Sequence, residues 1–593
     1  MKIKKIISIV LCLIMAMSVS YAYAEEAENL IIDNTWCICS KDESLKTASD
    51  TLADYVNNVC SIQLPVSERE QDEHNIILAI DDLAEGSYVI SSDESNVYIT
   101  GSTLQQTVRG IYAFLEKFAG VRSYTSEKIT YTKDVVSVPV NVNVEYTPPF
   151  EFTDTDWLSP KDVQYSLFNG FNSAEYRDIP EELGGCVDYI PTLAHTLSTK
   201  FCSAEKYYDE HPEYFASYRG FRTKNQLCLS NPDVLKIVTD EVLELLANEH
   251  DEKADLQIVT LTQNDNITFC TCPECRKIDN KYGSHAGTML EFCNAVAKQV
   301  KKAGYDNVAI DTFAYRYTRK PPKGIVPDDN VIIRLCSIEC CFSHALDDDF
   351  CKTNKEFMDD LHGWSEICDR IYIWDYCTNY CNWTGLFPDF GTLQRNMQIF
   401  KENNVKGIYE EGNYSMKAEA EFGELRTWLI GQLFKDPYLD YDAAVSEFCD
   451  AYYGEGGKYV KEFLDLITEN ESKMHLGIYQ SMKDTLNLSS EQVKYCDSLW
   501  AKAKEAASRE ELDHILGSEI SWRWWKMKNR VSEFKKLSSY DGLKKELMKD
   551  ISDRGIDRIA EMDETHIFFN QLLQGLYYKL YSLVNLVLKL LYA

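Results

Sequence analysis

Basic side chains are scarce in this sequence relative to acidic ones. The 593 residues contain 61 Lys and Arg against 94 Asp and Glu, which gives a formal net charge of −33. A surface with this charge repels phosphates, so the composition argues against a nucleic-acid partner. A His-x-x-x-His pair is absent as well, which argues against a catalytic zinc centre of the type that such a helical pair builds.

Apolar stretches of unusual length occur only near the two ends of the chain. At the C-terminal end, residues 568–593 are interrupted by polar side chains at Asn570, Gln571, Gln574, Lys579, Asn585 and Lys589. This segment is interpreted either as a last packed helix or as a membrane-associated one.

Residues 1–24 have the pattern of a secretory signal. The pattern needs a basic start, an apolar middle and a small-x-small cleavage site, which are provided by Lys2, Lys4 and Lys5, by residues 6–17, and by Ala22-Tyr23-Ala24. We therefore expect cleavage after Ala24 and a secreted, extracellular protein.

Cysteine is plentiful, but its number is odd. Of the 20 cysteines, Cys12 lies in the predicted signal, which leaves 20 − 1 = 19 in the mature chain. An odd number requires at least one thiol that is free or paired between chains. Several cysteines lie within apolar segments and are expected to act as small buried hydrophobic side chains, although an oxidising compartment would favour some disulfides.

The chain has too many residues for a single hydrophobic core, so several domains are expected. Residues 25–145 combine short strands, a hairpin and the amphipathic helix 104–118, which indicates a small α/β domain. From residue 146 to 436 strands alternate with helices, as in a (β/α)8 TIM-like barrel. The eight predicted strands are 150–154, 187–193, 226–229, 256–262, 307–314, 331–337, 371–376 and 407–411. Residues 437–593 are charged and helical and form a predicted helical C-terminal domain.

Acidic side chains follow the predicted barrel strands at their C-terminal ends. They are Asp265, Glu339, Asp375 and Glu411, together with the adjacent Glu410. The C-terminal ends of barrel strands are where barrel enzymes carry out their chemistry, and glycoside hydrolysis generally uses two carboxyl groups. Because strand side chains alternate between faces, only one of Glu410 and Glu411 is expected to face the site. We favour Glu411, since it lies nearer the end of the strand.

Other side chains at the same strand ends are candidates for substrate binding. Aromatic rings can stack on sugars, and an arginine can hold a carboxylate through paired hydrogen bonds. The candidates are His195, Tyr315, Arg316, Trp374 and Tyr376. The aromatic candidates are interpreted alternatively as ordinary core residues.

Three cysteines follow the fourth predicted strand within six residues, at Cys270, Cys272 and Cys275. Three thiolates can hold a structural zinc ion if a fourth ligand is available, and His285 or another cysteine is a candidate for that ligand. The alternatives are a disulfide or free thiols.

Two stretches resemble known families. The segment GSTLQQTVRGIYAFLEKFAGVRSYT (101–125) resembles the end of the small N-terminal domain of bacterial β-hexosaminidases and family 67 α-glucuronidases. The motifs HPEYF, LCLSNPDV, QNDN with CTCPEC, IYIWDY, GIYEEGNY and AYYG, in this order, resemble a family of secreted bacterial proteins of unknown function. That family is distantly similar to family 67 α-glucuronidases.

The second resemblance implies a glycosidase-like barrel. In family 67 the acid and the water-activating groups come from different strands, and the configuration is inverted. By this resemblance Asp375 and Glu411 would activate or position water, and Asp265 or Glu339 would be the acid.

The sequence therefore favours a secreted glycoside hydrolase, similar to α-glucuronidases and hexosaminidases, that cleaves a polysaccharide or glycan by carboxylate acid–base catalysis. No organic cofactor is expected for this chemistry. One alternative is a non-catalytic carbohydrate-binding protein on the same scaffold, and another is a zinc-dependent hydrolase. The first alternative needs no pair of carboxyl groups at a glycosidase separation, which is ~5–5.5 Å for retention or ~6.5–9.5 Å for inversion.

Overall fold

The structure is a computed structural model that describes residues 28–84, 86–413, 418–530, 537–561 and 563–564. The predicted signal peptide, residues 1–24, and the apolar tail, residues 568–593, lie outside these residues. The described chain forms two compact units. The first contains 28–122, 130–147 and 182–184, and the second contains 123–129, 148–181 and 185–564.

The first unit is a small α/β structure. Its strands and helices are β1 (Asn29–Ile32), β2 (Cys37–Cys39), α1 (Lys46–Cys60), β3 (Val66–Ser67), β4 (Asn75–Ile80), β5 (Tyr88–Ser92), β6 (Val97–Gly101), α2 (Leu104–Phe118), β9 (Val136–Pro139) and β10 (Asn143–Tyr146), while β7 (Val121–Thr125) and β8 (Lys128–Tyr131) run across the boundary with the second unit. The six-stranded sheet has the order β10-β5-β6-β4-β2-β3, and β1 pairs with β9.

Helix α2 confirms the helix predicted over residues 104–118. Its N-cap Thr103 accepts a hydrogen bond from the Gln106 amide, which satisfies one of the unpaired donors of the first turn. A Cβ at Gly110 would lie 2.9 Å from Ile99 of β6. The missing side chain therefore lets the helix pack closely on the sheet.

The second unit contains a parallel sheet of seven strands. They are β11 (Phe152–Thr155), β12 (Asp188–Ile190), β15 (Gln257–Thr260), β16 (Val308–Ala314), β17 (Val331–Cys336), β18 (Ile371–Tyr376) and β19 (Val405–Glu411). Their order is β11-β19-β18-β17-β16-β15-β12. These strands overlap seven of the eight predicted ones. The fold is therefore an α/β protein with a parallel half-barrel sheet.

The strand predicted at 226–229 is wrong, because those residues do not join the parallel sheet. Residues up to Leu227 belong instead to an antiparallel hairpin of β13 (Phe215–Tyr218) and β14 (Phe221–Leu227). The position next to β12 is taken by the segment 172–174. The Asn172 amide donates to Thr153 O of β11, and Ser173 bridges to Val187 beside β12. This segment thus connects the two edges of the sheet.

Alternate residues of the seven strands pack into a shared core on the concave face of the sheet. Phe152 of one edge strand lies 5.1 Å from Tyr189 of the other, measured between ring centroids, and it stacks on Tyr372 at 5.4 Å. The edges therefore curl toward each other around an aromatic interior. We call the side with this core the inner face and the opposite, helix-covered side the outer face.

The helices of the second unit lie around and after the sheet. They are α3 (Val163–Asn169), α4 (Ala204–Tyr207), α5 (Pro232–Glu249), α6 (Pro273–Tyr282), α7 (His285–Lys302), α8 (Lys352–Ser365), α9 (Leu393–Glu402), α10 (Gly423–Lys435), α11 (Tyr441–Tyr453), α12 (Gly457–Glu471), α13 (Ser490–Ala506), α14 (Arg509–Asn529) and α15 (Leu537–Asp553), followed by the short strands β20 (Arg558–Ala560) and β21 (Asp563–Glu564). None of the described helices combines the length and apolar character that a membrane crossing requires.

All 19 cysteines within the described residues are free thiols, and most of them are buried. This agrees with the interpretation that they act mainly as small hydrophobic side chains.

Candidate active site

The ends of β18 and β19 divide the predicted site residues between the two faces of the sheet. On the inner face the Trp374 indole donates to Glu411 Oε2, and its ring lies 4.6 Å from that of Tyr409. On the outer face Asp375 accepts a hydrogen bond from Ser337, and it is the strand neighbour of Glu410. Trp374 and Glu411 are thus brought together, and Asp375 is not brought to them.

A chain of aromatic contacts links Trp374 to other predicted residues. Phe313 lies against Trp374 at 5.4 Å, against His195 at 5.8 Å and against Tyr315 at 5.8 Å between ring centroids. Tyr315 then donates from its hydroxyl to Asp265 Oδ1 at 2.7 Å. Phe313 itself escaped sequence reasoning, because a phenylalanine within an apolar strand carries no signal of function.

Asp265 is half-exposed at the rim of this cluster. Arg316 Nε donates to the same carboxylate oxygen at 3.0 Å, so two donors hold Asp265 in place. His195 and Arg316 both have positive backbone φ angles, 59° and 51°. Such backbone strain in non-glycine residues is found preferentially at functional sites.

Glu339 is held by a different arginine. Arg319 Nη1 donates to it at 2.9 Å, while Arg319 Nε donates to Asp360 of α8 at 2.7 Å. Burial is the largest cause of the raised pKa of the Cys336 thiol, and the charges of Glu339 and Glu411 add to it. The carboxyl groups of Glu339 and Glu411 therefore both influence Cys336 on the inner face.

Glu411 has an unusual electrostatic environment. Burial raises its pKa to about 8, the Asp156 charge adds to this, and hydrogen bonding by Tyr380 and Trp374 opposes it. Burial also raises the pKa of Asp156 to about 6. A carboxyl group with a pKa near 8 holds its proton at neutral pH, as a general acid must.

The inner face contains buried charges that sequence reasoning missed. Arg334 of β17 pairs with Asp311 of β16, and its guanidinium lies 4.8–5.3 Å from the rings of Tyr189, Phe313 and Trp374. The Arg334 guanidinium therefore packs against the Trp374 ring. Two other acidic residues could have been recognised from the sequence. Asp154 and Asp156 follow Phe152 at the two-residue period of a strand, which indicates that they share its face.

Tyr376 of β18 extends the aromatic wall. Its ring lies 6.2 Å from Tyr380, which in turn lies 5.6 Å from Tyr479. Burial is the main cause of the raised pKa of Tyr376, and the neighbouring Tyr315 and Glu411 add to it. The predicted residue Tyr376 is therefore part of the cluster around Glu411.

The outer face contains a buried acidic cluster instead. Burial raises the pKa of Asp375 to about 6, and it raises that of Glu410, with the Asp375 charge as the next cause. Asp389, Glu421 and Arg426 complete the cluster. It is enclosed behind the strands and has the character of a structural network.

This cluster makes stability depend on pH. An acid whose pKa is raised by folding binds more protons in the folded state than in the unfolded state at intermediate pH, so unfolding becomes easier as pH rises. We expect the free energy of unfolding to fall between about pH 4 and 6 by on the order of 1–3 kcal/mol through Asp375. Urea unfolding at pH 4.5 and pH 7 checks this. Asp375→Asn should flatten the dependence, whereas the exposed Asp347→Asn should not; equal slopes in all three proteins would contradict it.

The three predicted cysteine ligands gather around a fourth. Cys228, which follows β14, has its Sγ atom 3.7 Å from that of Cys272 and 3.9 Å from that of Cys275. All four sulfur atoms, including Cys270, lie within 4.8 Å of one another. His285 instead contacts Asp279 at 2.7 Å. The cluster can therefore hold a metal ion, and its fourth ligand is a cysteine.

The protonation of these thiols is linked. Hydrogen bonding among them lowers the pKa of Cys228 and raises that of Cys270 to about 12. A divalent cation bound among these sulfur atoms would favour the ionised form of the thiols.

A separate cavity of about 760 Å³ lies in the second unit. Its described lining includes the acidic side chains Glu419, Glu424 and Glu510 and the basic Arg554. None of the predicted site residues is among the described residues that line it, so the aromatic cluster at Glu411 remains the better candidate site.

Comparison of the fold with solved structures gives a likeness to a family GH115 4-O-methyl-α-glucuronidase with specificity for decorated arabinogalactans. The TM-score is 0.54 at 9% identity, over 88% of this chain and 76% of that one. A GH138 enzyme targeting pectin rhamnogalacturonan II gives 0.43 at 11% identity over 93% and 99%. A Streptomyces plicatus β-hexosaminidase gives 0.43 at 12% identity over 72% and 91%. Only the first score supports a shared fold, and it carries no statement about substrate.

Comparison with curated proteins finds no match in sequence. The family model described as "Domain of unknown function (DUF4838)" matches residues 123–465, which is more than half of the 593 residues. The expected membership of a family of unknown function with a glycosidase-like fold is confirmed. The chain belongs to the DUF4838 family.

Proposed function

We propose that this protein is a secreted glycoside hydrolase that cleaves a polysaccharide or glycan by carboxylate acid–base catalysis. The observation that carries the proposal is Glu411, a partly exposed carboxyl group with a raised pKa, held by Trp374 among aromatic side chains at the strand ends. In this proposal Glu411 is the general acid, which reverses the role that the family resemblance implied for it.

Asp265 is the proposed partner that activates water or attacks the sugar. It receives hydrogen bonds from Arg316 and Tyr315, which fix the orientation of its carboxyl group. Glu339, bound by Arg319, is the second candidate for this role. Trp374, Tyr376 and His195 are proposed to contact the sugar.

The order of domains and the location of the protein belong to the same proposal. The signal peptide is residues 1–24, the small α/β domain is 25–145, the barrel is 146–436 and the helical domain is 437–593. The segment 172–174 takes the place of one strand of the (β/α)8 barrel between β11 and β12.

The alternative function, a carbohydrate-binding protein without catalysis, is favoured by the positions of the other three predicted carboxyl groups. Arginines already engage Asp265 and Glu339, and Asp375 lies on the outer face. An aryl-glycoside panel that includes uronides and N-acetylhexosaminides separates the two functions when glycan binding is measured in parallel. We expect turnover of at least one member of the panel. Glycan binding without turnover would overturn the enzyme and support the binder.

The cysteine cluster is proposed to hold a structural zinc ion. Tetrahedral zinc with Zn–S bonds of ~2.3 Å places its sulfur ligands ~3.8 Å apart, and the Cys228 distances of 3.7 and 3.9 Å match this value. The ion would link the hairpin β13–β14 to the loop that carries Asp265. Gln226 already bridges these segments, with its amide nitrogen donating to Asn264 O at 2.8 Å.

We expect Cys228→Ser to remove about one zinc ion per chain and to increase protease sensitivity in the hairpin. The metal content of the purified protein, measured by mass spectrometry, checks the first result, and limited proteolysis checks the second. Cys186→Ser is the matched control, since Cys186 is a partly buried free thiol outside the cysteine cluster. Equal zinc contents in the parent and Cys228→Ser would contradict the site.

A further inference from the structure

A second cluster of metal-ligand side chains lies at the end of β17. It consists of Cys341, His344, Cys351 and His475, whose ligand atoms all lie within 4.8 Å of one another. Cys341 Sγ is 3.2 Å from His344 Nδ1, and Cys351 Sγ is 3.8 Å from His475 Nδ1. The two imidazole rings lie 4.8 Å apart between centroids.

These distances suit a tetrahedral ion. Zn–S bonds of ~2.3 Å and Zn–N bonds of ~2.0–2.1 Å place sulfur and nitrogen ligands ~3.5 Å apart, and the two sulfur–nitrogen distances lie on either side of that value. Two thiols and two imidazoles form a ligand set that selects zinc rather than calcium or magnesium, which prefer oxygen.

The surroundings of the cluster are those of a built site. The Leu476 amide donates to Cys341 Sγ at 3.4 Å, and the Ser343 hydroxyl lies 3.1 Å from the same sulfur. Hydrogen bonds to ligand atoms orient them and tune the metal. Both cysteines are buried and His475 is exposed, so an ion can enter from the solvent side.

We propose that Cys341, His344, Cys351 and His475 bind a structural zinc ion. Three of these ligands come from the loop between β17 and α8, and the fourth comes from the segment that follows α12. The ion would therefore fasten the segment 474–480 to the end of the sheet.

The fastened segment reaches the candidate active site. Backbone hydrogen bonds run from the Phe342 amide to Leu476 O and from the Tyr380 amide to Ile478 O, each at 2.8 Å. They place Tyr479 against Tyr380, which adjoins Tyr376. The zinc ion would thus support the aromatic wall beside Glu411. This last consequence depends on the proposed function, but the metal site itself does not.

Zinc content tests the site without any activity measurement. We expect about two zinc ions per chain in the parent, one for each cluster. Cys351→Ser and His475→Ala should each remove about one of them. A double variant that combines Cys351→Ser with Cys228→Ser should remove both. His211→Ala is the matched control for His475→Ala, because His211 is partly exposed and lies outside both clusters, and it should keep the parent content.

Cobalt substitution identifies which cluster is lost. In the parent the absorption of cobalt bound to four thiolates and of cobalt bound to two thiolates and two imidazoles should be superimposed, and His475→Ala should remove only the second component. Unchanged zinc in both Cys351→Ser and His475→Ala would overturn the site. So would thiol counting that shows a Cys341–Cys351 disulfide in the zinc-loaded protein.

Discussion

Glu411→Gln is expected to reduce hydrolysis of a glycoside with a poor leaving group by about 10²- to 10⁴-fold, the usual contribution of general acid catalysis. The amide keeps the shape of the side chain and its contact with the Trp374 indole, but it cannot deliver a proton to the leaving oxygen. A substrate whose leaving group is a strongly acidic phenol needs no proton, so its hydrolysis should fall much less. Initial rates on a series of aryl glycosides with leaving groups of graded pKa check this.

The adjacent glutamate provides the control. Glu410→Gln makes the same chemical change one residue earlier, on the outer face of the same strand. We expect it to leave the dependence on leaving group unchanged. A loss of rate in Glu411→Gln that is equal for all leaving groups, or equal to that in Glu410→Gln, would show that Glu411 is not the acid.

Arg426→Met is expected to lower the free energy of unfolding by about 3–5 kcal/mol, because removing one partner of a buried ion pair leaves uncompensated charge. Arg426 of α10 is fully buried and pairs with both Asp389 and Glu421, and its charge also acts on the buried carboxyl group of Glu410. Methionine replaces its volume but none of its charge. Urea unfolding at pH 7 measures the loss.

Arg395 is a matched comparison for Arg426. It also pairs with two carboxylates, Asp347 and Glu402, but its side chain is 39% exposed. Exposed ion pairs contribute about 0–1 kcal/mol, so Arg395→Met should cost far less than Arg426→Met. Similar losses in the two variants would mean that burial does not determine the strength of the outer-face cluster.

Much of the sheet could be predicted because buried parallel strands produce short apolar runs rich in β-branched residues. The runs at 307–314, 331–337 and 371–376 correspond to β16, β17 and β18. The prediction of a strand at 226–229 was wrong because a short apolar run does not reveal its partner. The segment 172–174, which connects the edges, has no such run, and its place is set by long-range hydrogen bonds.

The site was only partly predictable for a similar reason. Strand alternation separates Glu410 from Glu411, and the same rule separates Asp375 from Trp374 and Tyr376. Strand alternation can be recognised from the sequence alone. In β18 and β19 it divides the candidate residues between the inner and outer faces of the sheet. The raised pKa of Glu411 could not be anticipated, because it arises from burial and from Asp156, which directly follows the distant strand β11.

The metal ligands illustrate the same limit. The spacing of Cys270, Cys272 and Cys275 indicates a site, because local spacing is visible in a sequence. Cys228 lies 42 residues before Cys270, and His475 lies 124 residues after Cys351. Only the folded chain brings such ligands together, and no local pattern marks them.

The pH dependence of kcat/KM for a glycoside with a poor leaving group tests the central claim most directly. If Glu411 is the general acid, kcat/KM should fall as pH rises through about 8, the pKa to which burial raises this group, because the deprotonated carboxylate cannot protonate the leaving oxygen. Glu411→Gln should lose this basic limb together with most of the rate. A rate in the parent that stays constant across pH 7–10, or a basic limb that persists in Glu411→Gln, would contradict the assignment.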